Sequence, residues 1–219
     1  MRILDGWFGD DAIEYEDAWD LQRSLHADRA ADRIEDTALL LEHPAVYTAG
    51  RRTEQHEHPA DGSRVVQVDR GGKITYHAPG QLVVYPIVKL PEHVLVVDYV
   101  RRCEEAIIRA LLDLGVKTGR VPGRSGVWLA AEPMRPERKI AAIGIRVSQG
   151  VTMHGVSINA DLDLAPYDSF LACGIADAGV TSLTAELGRD VTVLETADAL
   201  VPHLQDLLSW QPYDPSPDL

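Results

Sequence analysis

Apolar residues recur along this chain at spacings that mark out strands and helices. Between Tyr15 and Arg33, Trp19, Leu21 and Leu25 interleave with polar residues, and the segment reads as a first helix. Thr37 to Leu41 is a short apolar run closed by Glu42-His43-Pro44, which predicts a buried strand, and Pro44 confines His43 to an extended or turn conformation. Residues 51–64 are polar and without period, a loop. Val65 to Val68 and Ile74 to Tyr76 are short strands on either side of a Gly71-Gly72 turn, and His77-Ala78-Pro79-Gly80 is stiff and irregular. Leu82 to Val88 is a second apolar run, in which Pro86 predicts an edge strand or a bulge.

The clearest helix spans Asp98 to Val116. Val100, Cys103, Ile107, Leu111 and Leu114 form its apolar stripe, with Asp98 as N-cap and Gly115 as the stop. Lys139 to Val147 alternates as a strand, with Lys139, Ala141, Ile143, Ile145 and Val147 on one face. Ser148-Gln149-Gly150 turns the chain into a second strand, Val151 to Asn159. Residues 170–184 read as loop, and Glu195 to Trp210 carries another helical period. Hairpins outnumber βαβ units, so the expected fold is α+β, a mixed β-sheet with flanking helices. A single domain is expected over residues 1–211. The proline-rich tail 212–219 has no apolar pattern and is expected to fray.

Composition narrows the classes. The chain has 219 residues, 45% hydrophobic and 25% charged, which is ordinary for a globular protein and argues against disorder. The net charge is −13, which opposes nonspecific binding to nucleic acid or anionic lipid. No apolar run approaches the roughly 20 residues that cross a bilayer, and Met1 to Asp17 lacks the pattern of a signal peptide. The two cysteines, Cys103 and Cys173, make no disulfide scaffold, and the expected compartment is the cytoplasm.

A few residues stand out chemically. Cys173 lies in Ala172-Cys173-Gly174-Ile175, where a loop glycine can expose the sulfur to a substrate and backbone amides can stabilise an oxyanion. The alternative is a small buried hydrophobe, which is the reading for Cys103 on its helix stripe. Lys139 opens an apolar strand, either at the rim or desolvated and functional. Beside a cysteine, a desolvated lysine favours the thiolate. His77 and His154 each precede a small residue and are candidates for acid–base work, for a hydrogen bond to an acyl carbonyl, or for a structural bond. His56 and His58 have no Cys or Asp at ligand spacing, so no metal site is expected. Arg70-Gly71-Gly72-Lys73 lacks the phosphate-loop pattern and precedes a strand, and its glycines read as a tight turn with room for a substrate. Arg51, Arg52, Arg70 and Lys73 form either a basic rim or ordinary solvated surface.

Taken together, five ordered segments resemble the octanoyltransferases of lipoate biosynthesis. They are Glu42 to Gly50, Arg70 to Leu82, Lys139 to Gly144, His154 to Asn159, and Cys173-Gly174-Ile175 followed by Thr181-Ser182-Leu183 and Glu186. The family usually has glycine at the position of Ala78, where a need for positive φ would strain alanine.

The resemblance implies the catalytic fold of biotin and lipoate protein ligases. It implies octanoyl transfer from an acyl carrier protein to the lysine of lipoyl domains, in 2-oxoacid dehydrogenases and the glycine cleavage H protein, without cofactor. Cys173 then resembles the acyl-accepting nucleophile and Lys139 its activator. The acyl pocket would comprise Arg70, Gly71, Gly72, Lys73, Ile74, Thr75, Tyr76, His77, Ala142, Ile143, Gly144, Gly155, Val156 and Ser157, with His154 as an auxiliary. The rival readings are an ATP-dependent lipoate or biotin ligase of the same fold, which needs no nucleophilic cysteine, a longer nitrilase-like hydrolase, and a noncatalytic binding module.

Overall fold

The structure is a computed structural model of the chain and describes residues 1–60, 62–170 and 178–219. The strands in chain order are β1 (Arg2–Trp7), β2 (Thr37–Leu41), β3 (Val46–Ala49), β4 (Val65–Gln67), β5 (Ile74–His77), β6 (Gln81–Ile87), β7 (Gly119–Val121), β8 (Arg124–Leu129), β9 (Arg138–Ser148), β10 (Val151–Asn159) and β11 (Gly179–Val180). The helices are α1 (Tyr15–Ala30), α2 (Val96–Asp113), α3 (Leu183–Leu187) and α4 (Val193–Leu207). The main sheet runs β1-β2-β6-β10-β9-β8-β7, with β11 parallel to β9. The pair β1–β2 is parallel and the others along that path are antiparallel, so the sheet is mixed. In a small sheet, β4-β3-β5, the outer strands β4 and β5 both pair with β3 and are joined across it by the reverse turn at Arg70 to Lys73, the Arg70 hairpin.

The two unbroken apolar runs are buried on both faces. Ala38, Leu40, Leu82 and Val84 join the core under α2 and α4, while Leu39, Leu41, Val83 and Tyr85 pack against Ala18, Leu21 and Leu25 of α1. A strand covered on both sides needs no polar alternation. Pro86 therefore lies in a central strand, not at an edge. The ladder between β6 and β10 gives way beside it. His154 takes a φ of 57° and its amide donates to Gln22 Oε1 (2.8 Å), while Thr152 Oγ1 donates to the Pro86 carbonyl (2.6 Å).

Helix α2 begins two residues before Asp98. Asp98 is in its first turn, where the carboxylate accepts from the Leu95 amide (3.2 Å). At the other end the Val116 amide reaches the Leu111 carbonyl (2.8 Å) and the Gly115 amide the Leu112 carbonyl (2.9 Å), a Schellman closure. The hairpin turn falls where expected, with Gln149 and Gly150 both at positive φ between paired Ser148 and Val151.

The tail differs from the expectation of fraying. Its carbonyls satisfy arginines of the body, Gln211 to Arg102, Asp214 to Arg109 and Ser216 to Arg120, and the Leu219 amide donates to the Arg120 carbonyl (2.9 Å). Backbone acceptors need no apolar pattern, so the composition of the tail does not reveal them. No helix among the described residues is long and apolar enough to cross a membrane.

Candidate active site

A cavity of about 240 Å³ opens between the Arg70 hairpin and strands β9 and β10. Its floor is made of small residues. Ala142 pairs with Ser157 and Gly144 with Gly155, and all four line it. Their neighbours Ala141 and Ile158 belong to the core on the other side of the sheet, while Val156 and Ile143 pack with that core and also border the cavity. One strand pair thus supplies an apolar core on one side and an open floor on the other.

Lys139 reaches this cavity through a bulge. Val127 pairs with Ala141 but Trp128 pairs with Lys139, so Ile140 is an extra residue in β9. Both Ile140 and Ala141 enter the core, and the alternation reverses. Lys139 consequently does not share a face with Ala141 and Ile143, as strict alternation predicts. It lines the cavity with Ala142 and Gly144. The side chain is buried, with Nζ 4.6 Å from the Trp128 ring centroid, a cation–π contact, and no carboxylate among the described residues pairs with it. Lys139 also borders a smaller cavity formed with Trp128, Asn159, Tyr167 and Ala178.

The roof is the Arg70 hairpin. The Arg70 guanidinium is buried and donates to the Thr48 carbonyl (2.8 Å), Thr48 Oγ1 (2.9 Å), the Gly71 carbonyl (3.0 Å) and the Lys73 carbonyl (2.8 Å). The Gly71 amide ties the hairpin to β9 through the Ile145 carbonyl (2.9 Å). A Cβ on Gly144 would stand 2.9 Å from Arg70 Cδ, so glycine is what lets the roof meet the floor. Lys73 lines the cavity and binds Glu57, whose carboxylate is buried in the preceding loop (2.5 Å).

The segment expected to form the pocket is divided by strand alternation. Thr75 and His77 line the cavity, whereas Ile74 and Tyr76 pack with Tyr47 and Ala78 on the other face. Gly71 is not in the lining, and Gly72 is. Ala78 has no positive φ. That conformation belongs to Gly80, so alanine introduces no backbone strain here.

The inner wall is aromatic. Tyr15 and Tyr85 line it beside His77 and His154, with His43 behind. Burial pushes the Tyr15 hydroxyl up to about 12 and raises the Tyr85 hydroxyl well above its ordinary value. Burial also pushes His43 down to about 4 and His77 to about 3, so both rings are neutral near pH 7. His154 is lowered by burial, against its bond to Asp69 Oδ1 (2.8 Å). Sequence reasoning does not find Tyr15, Tyr85, His43 or Asp69 as site residues. Tyr15 and His154 are 139 positions apart, and only the topology brings them together.

Behind Lys139, Glu186 accepts from Arg138 Nε (2.7 Å) and Thr181 Oγ1 (2.5 Å). The Arg138 bond is the main reason its carboxyl sits down at about 2. Cys173 lies outside the described residues. Cys103 is buried on the core face of α2, and burial pushes its thiol up to about 12.

Comparison with known proteins agrees with this architecture. Residues 14–205 match the lipoyl protein ligase A/B catalytic domain. The chain is 61% identical to an octanoyltransferase of Mycobacterium sp. (strain KMS), over 90% of this chain and 82% of that one. It is 51% identical to an octanoyltransferase of Streptomyces griseus, over 95% and 90%. Among solved structures, the lipoate protein ligase of Thermoplasma acidophilum superposes with a TM-score of 0.64 at 16% identity (95% of this chain, 83% of that one). The biotin protein ligase of Aquifex aeolicus superposes at 0.57 and 12% identity (95% and 69%). These last two likenesses concern the fold alone. The chain belongs to the lipoyl protein ligase A/B catalytic-domain family and, within it, to the octanoyltransferases, which are acyltransferases.

Proposed function

We propose that this enzyme moves an octanoyl group from acyl carrier protein to the lysine amine of lipoyl domains by a ping-pong route through an acyl-thioester on Cys173. The Cys173 thiolate attacks the carrier thioester. A new carbon–sulfur bond forms, the old one breaks, and the carrier leaves as a thiol, taking its proton from the Lys139 ammonium. The target ε-amine then attacks the octanoyl-Cys173 carbonyl. A carbon–nitrogen bond forms, the bond to Cys173 breaks, and Lys139, left neutral by the first half-reaction, takes the amine proton, so that thiolate and ammonium are restored. Thioester exchange is nearly isoenergetic and amide formation is downhill, so no nucleotide is needed. The acceptors are the lipoyl domains of 2-oxoacid dehydrogenases and the glycine cleavage H protein. A reducing cytoplasm keeps the thiol available.

One observation carries this reading. Strand β11, which follows the Cys173 segment in the chain, pairs with β9 at Lys139 itself. Val180 is in register with Lys139, and the Thr181 amide donates to the Lys139 carbonyl (3.0 Å). A buried lysine without a carboxylate partner among the described residues, beside a floor of small residues, supports thiolate activation next to an alkyl site. Each buried methylene contributes about 0.8 kcal/mol, so the depth of such a site selects chain length.

The test is intact mass after mixing with octanoyl carrier protein, without nucleotide. The wild type is expected to gain one octanoyl group and Cys173→Ala none. A wild type that gains nothing, or a Cys173→Ala variant that still gains the group, overturns the route. Turnover that requires ATP instead selects the ligase reading.

A further inference from the structure

Burying an ammonium is costly unless something compensates the charge, and for Lys139 the compensation comes from β8. Val127 and Leu129 of that strand enter the core, so alternation turns Arg124, Gly126 and Trp128 toward the cavity side. Trp128 is in register with Lys139. Gly126 stands at a φ of 102°, and a Cβ there would meet the Ala141 carbonyl oxygen at 2.4 Å and Lys139 Cε at 3.5 Å. The bare glycine leaves a lane for the lysine stem. At its end Nζ lies over the Trp128 ring, 4.6 Å from the centroid.

The ring carries a second cation, with Arg124 Cζ 5.6 Å from a ring centroid of the same tryptophan. Arg124 also has Glu137 Oε2 at 3.6 Å, whereas Lys139 has no carboxylate among the described residues. The Trp128 Nε1–H is buried and meets no acceptor among those residues either. An unpaired buried N–H is a cost that phenylalanine would not carry. The position therefore draws on the π face of the indole, the strongest aromatic face for a cation, and not on its hydrogen bond.

On the proposed transfer reading, we infer that Trp128 is the positioning residue of Lys139, a neutral counter-surface that holds the buried ammonium in place with its charge uncancelled. A carboxylate in that position would cancel the charge that a thiolate needs beside it. An aliphatic side chain would leave the ammonium uncompensated, so that the lysine turned to water or lost its proton. An aromatic ring does neither. It favours the charged lysine over the neutral one by less than a buried carboxylate does, so Nζ can give its proton to the departing carrier and recover one in the second half-reaction. Gly126 keeps the lane open for the stem, and Trp128 fixes where the head rests.

The experiment follows alkylation by iodoacetamide at pH 7, with intact mass for the rate and peptide mass for the site. Cys103 is buried with its thiol at about 12, so the fast site is expected to be Cys173. Trp128→Leu is expected to slow that reaction about tenfold, and Trp128→Phe, which keeps a ring, less than about threefold. In a Lys139→Met background, itself slow, Trp128→Leu is expected to change the rate less than about twofold, since no ammonium is left to hold. Should Trp128→Leu not fold in urea titration, Trp128→Met, an unbranched side chain that adapts to irregular space, takes its place with the same expectation. Equal losses in both backgrounds make Trp128 a space-filling residue and overturn the inference, as does a Trp128→Leu variant that reacts like the wild type. Neither result touches the transfer reading. A Lys139→Met variant alkylated as fast as the wild type breaks the pairing of lysine and thiolate, and both fall. A wild type that gains no octanoyl mass but keeps the Lys139-dependent effect of Trp128 overturns the transfer reading and upholds the role of the ring.

Discussion

Two buried polar clusters in this molecule are built on opposite rules. At the β7 edge, Glu104 and Glu105 of α2 are fully buried against Arg120. Every carboxylate oxygen there has donors. Glu105 takes Arg120 Nη2 (2.6 Å), Arg109 Nε (2.9 Å) and the Ser216 amide (3.0 Å), and Glu104 takes Arg101 Nη1 (2.6 Å) and the Gly126 amide (3.0 Å). Burial raises the Glu105 carboxyl, but these bonds outweigh it and hold the group below its ordinary range. At the inner wall of the cavity the buried groups are neutral histidines and tyrosines, and Lys139 rests on an aromatic face without a carboxylate partner among the described residues. Charges that satisfy one another fasten a structure. Polar groups whose remaining valence points into a cavity are kept for something else.

The sharpest way to break that contrast is to remove one partner from each cluster. Arg120→Met leaves two buried carboxylates short of a cation and is expected to cost about 3–5 kcal/mol in urea unfolding, with activity per folded molecule unchanged. A cost below about 1 kcal/mol would mean the edge cluster is not fastening the fold. Lys139→Met is expected to do the reverse. Removing a buried ammonium that has no ion-pair partner among the described residues relieves a desolvation cost, so the urea midpoint holds or rises. Single-turnover acylation falls about a hundredfold. A large loss of stability with little loss of rate would make Lys139 a structural residue.

Acid distinguishes the clusters next. His77 and His43 are held neutral, at about 3 and about 4, against an unfolded value of about 6.5. A histidine with a depressed folded value binds its proton in the unfolded chain first. Its contribution is therefore complete above about pH 6.5 and is lost as pH falls toward 4 and 3. Glu186, at about 2 when folded, begins to weaken the fold only below an unfolded value of about 4.3. The melting temperature is thus expected to fall already between pH 6.5 and 5, and His77→Gln is expected to flatten that limb. A flat wild-type profile down to pH 5 contradicts the neutral wall.

Legibility in the sequence follows the same division. The sequence pattern locates β2 and β10 to the residue and β9 to within one, β2 as an unbroken apolar run, β9 by its alternation and β10 as the strand that returns from the turn after it. The small-residue floor at Ala142, Gly144, Gly155 and Ser157 is legible from the motifs. Lys139 is legible as a residue but not in its direction, since one inserted residue, Ile140, reverses the strand's phase without altering its composition. Tyr15, Tyr85, His43 and Asp69 leave no local signal, because their roles come from contacts between distant strands and α1. Strand β7 has only three residues, and β1 (RILDGW) and β8 (RSGVWL) carry neither an unbroken apolar run nor a regular alternation.

The smallest expected effect probes the meeting of roof and floor. Gly144→Ala places a methyl 2.9 Å from Arg70 Cδ and 3.4 Å from both Nη1 and the Gly71 carbonyl. The guanidinium is anchored by carbonyls of Thr48, Gly71 and Lys73, so the side chain cannot swing away without losing hydrogen bonds. The hairpin must lift as a unit, pulling the Gly71 amide from the Ile145 carbonyl. Overpacking of this kind costs about 1–3 kcal/mol, and the roof's attachment at one edge puts this case near the lower end. Because Lys73 and Thr75 ride on the same hairpin, the lift also changes the cavity. The KM for octanoyl carrier protein is expected to rise severalfold with little change in single-turnover rate at saturation. If stability and KM both stay at wild-type values, the hairpin is not seated on β9 as described, and the cavity between them has no fixed depth.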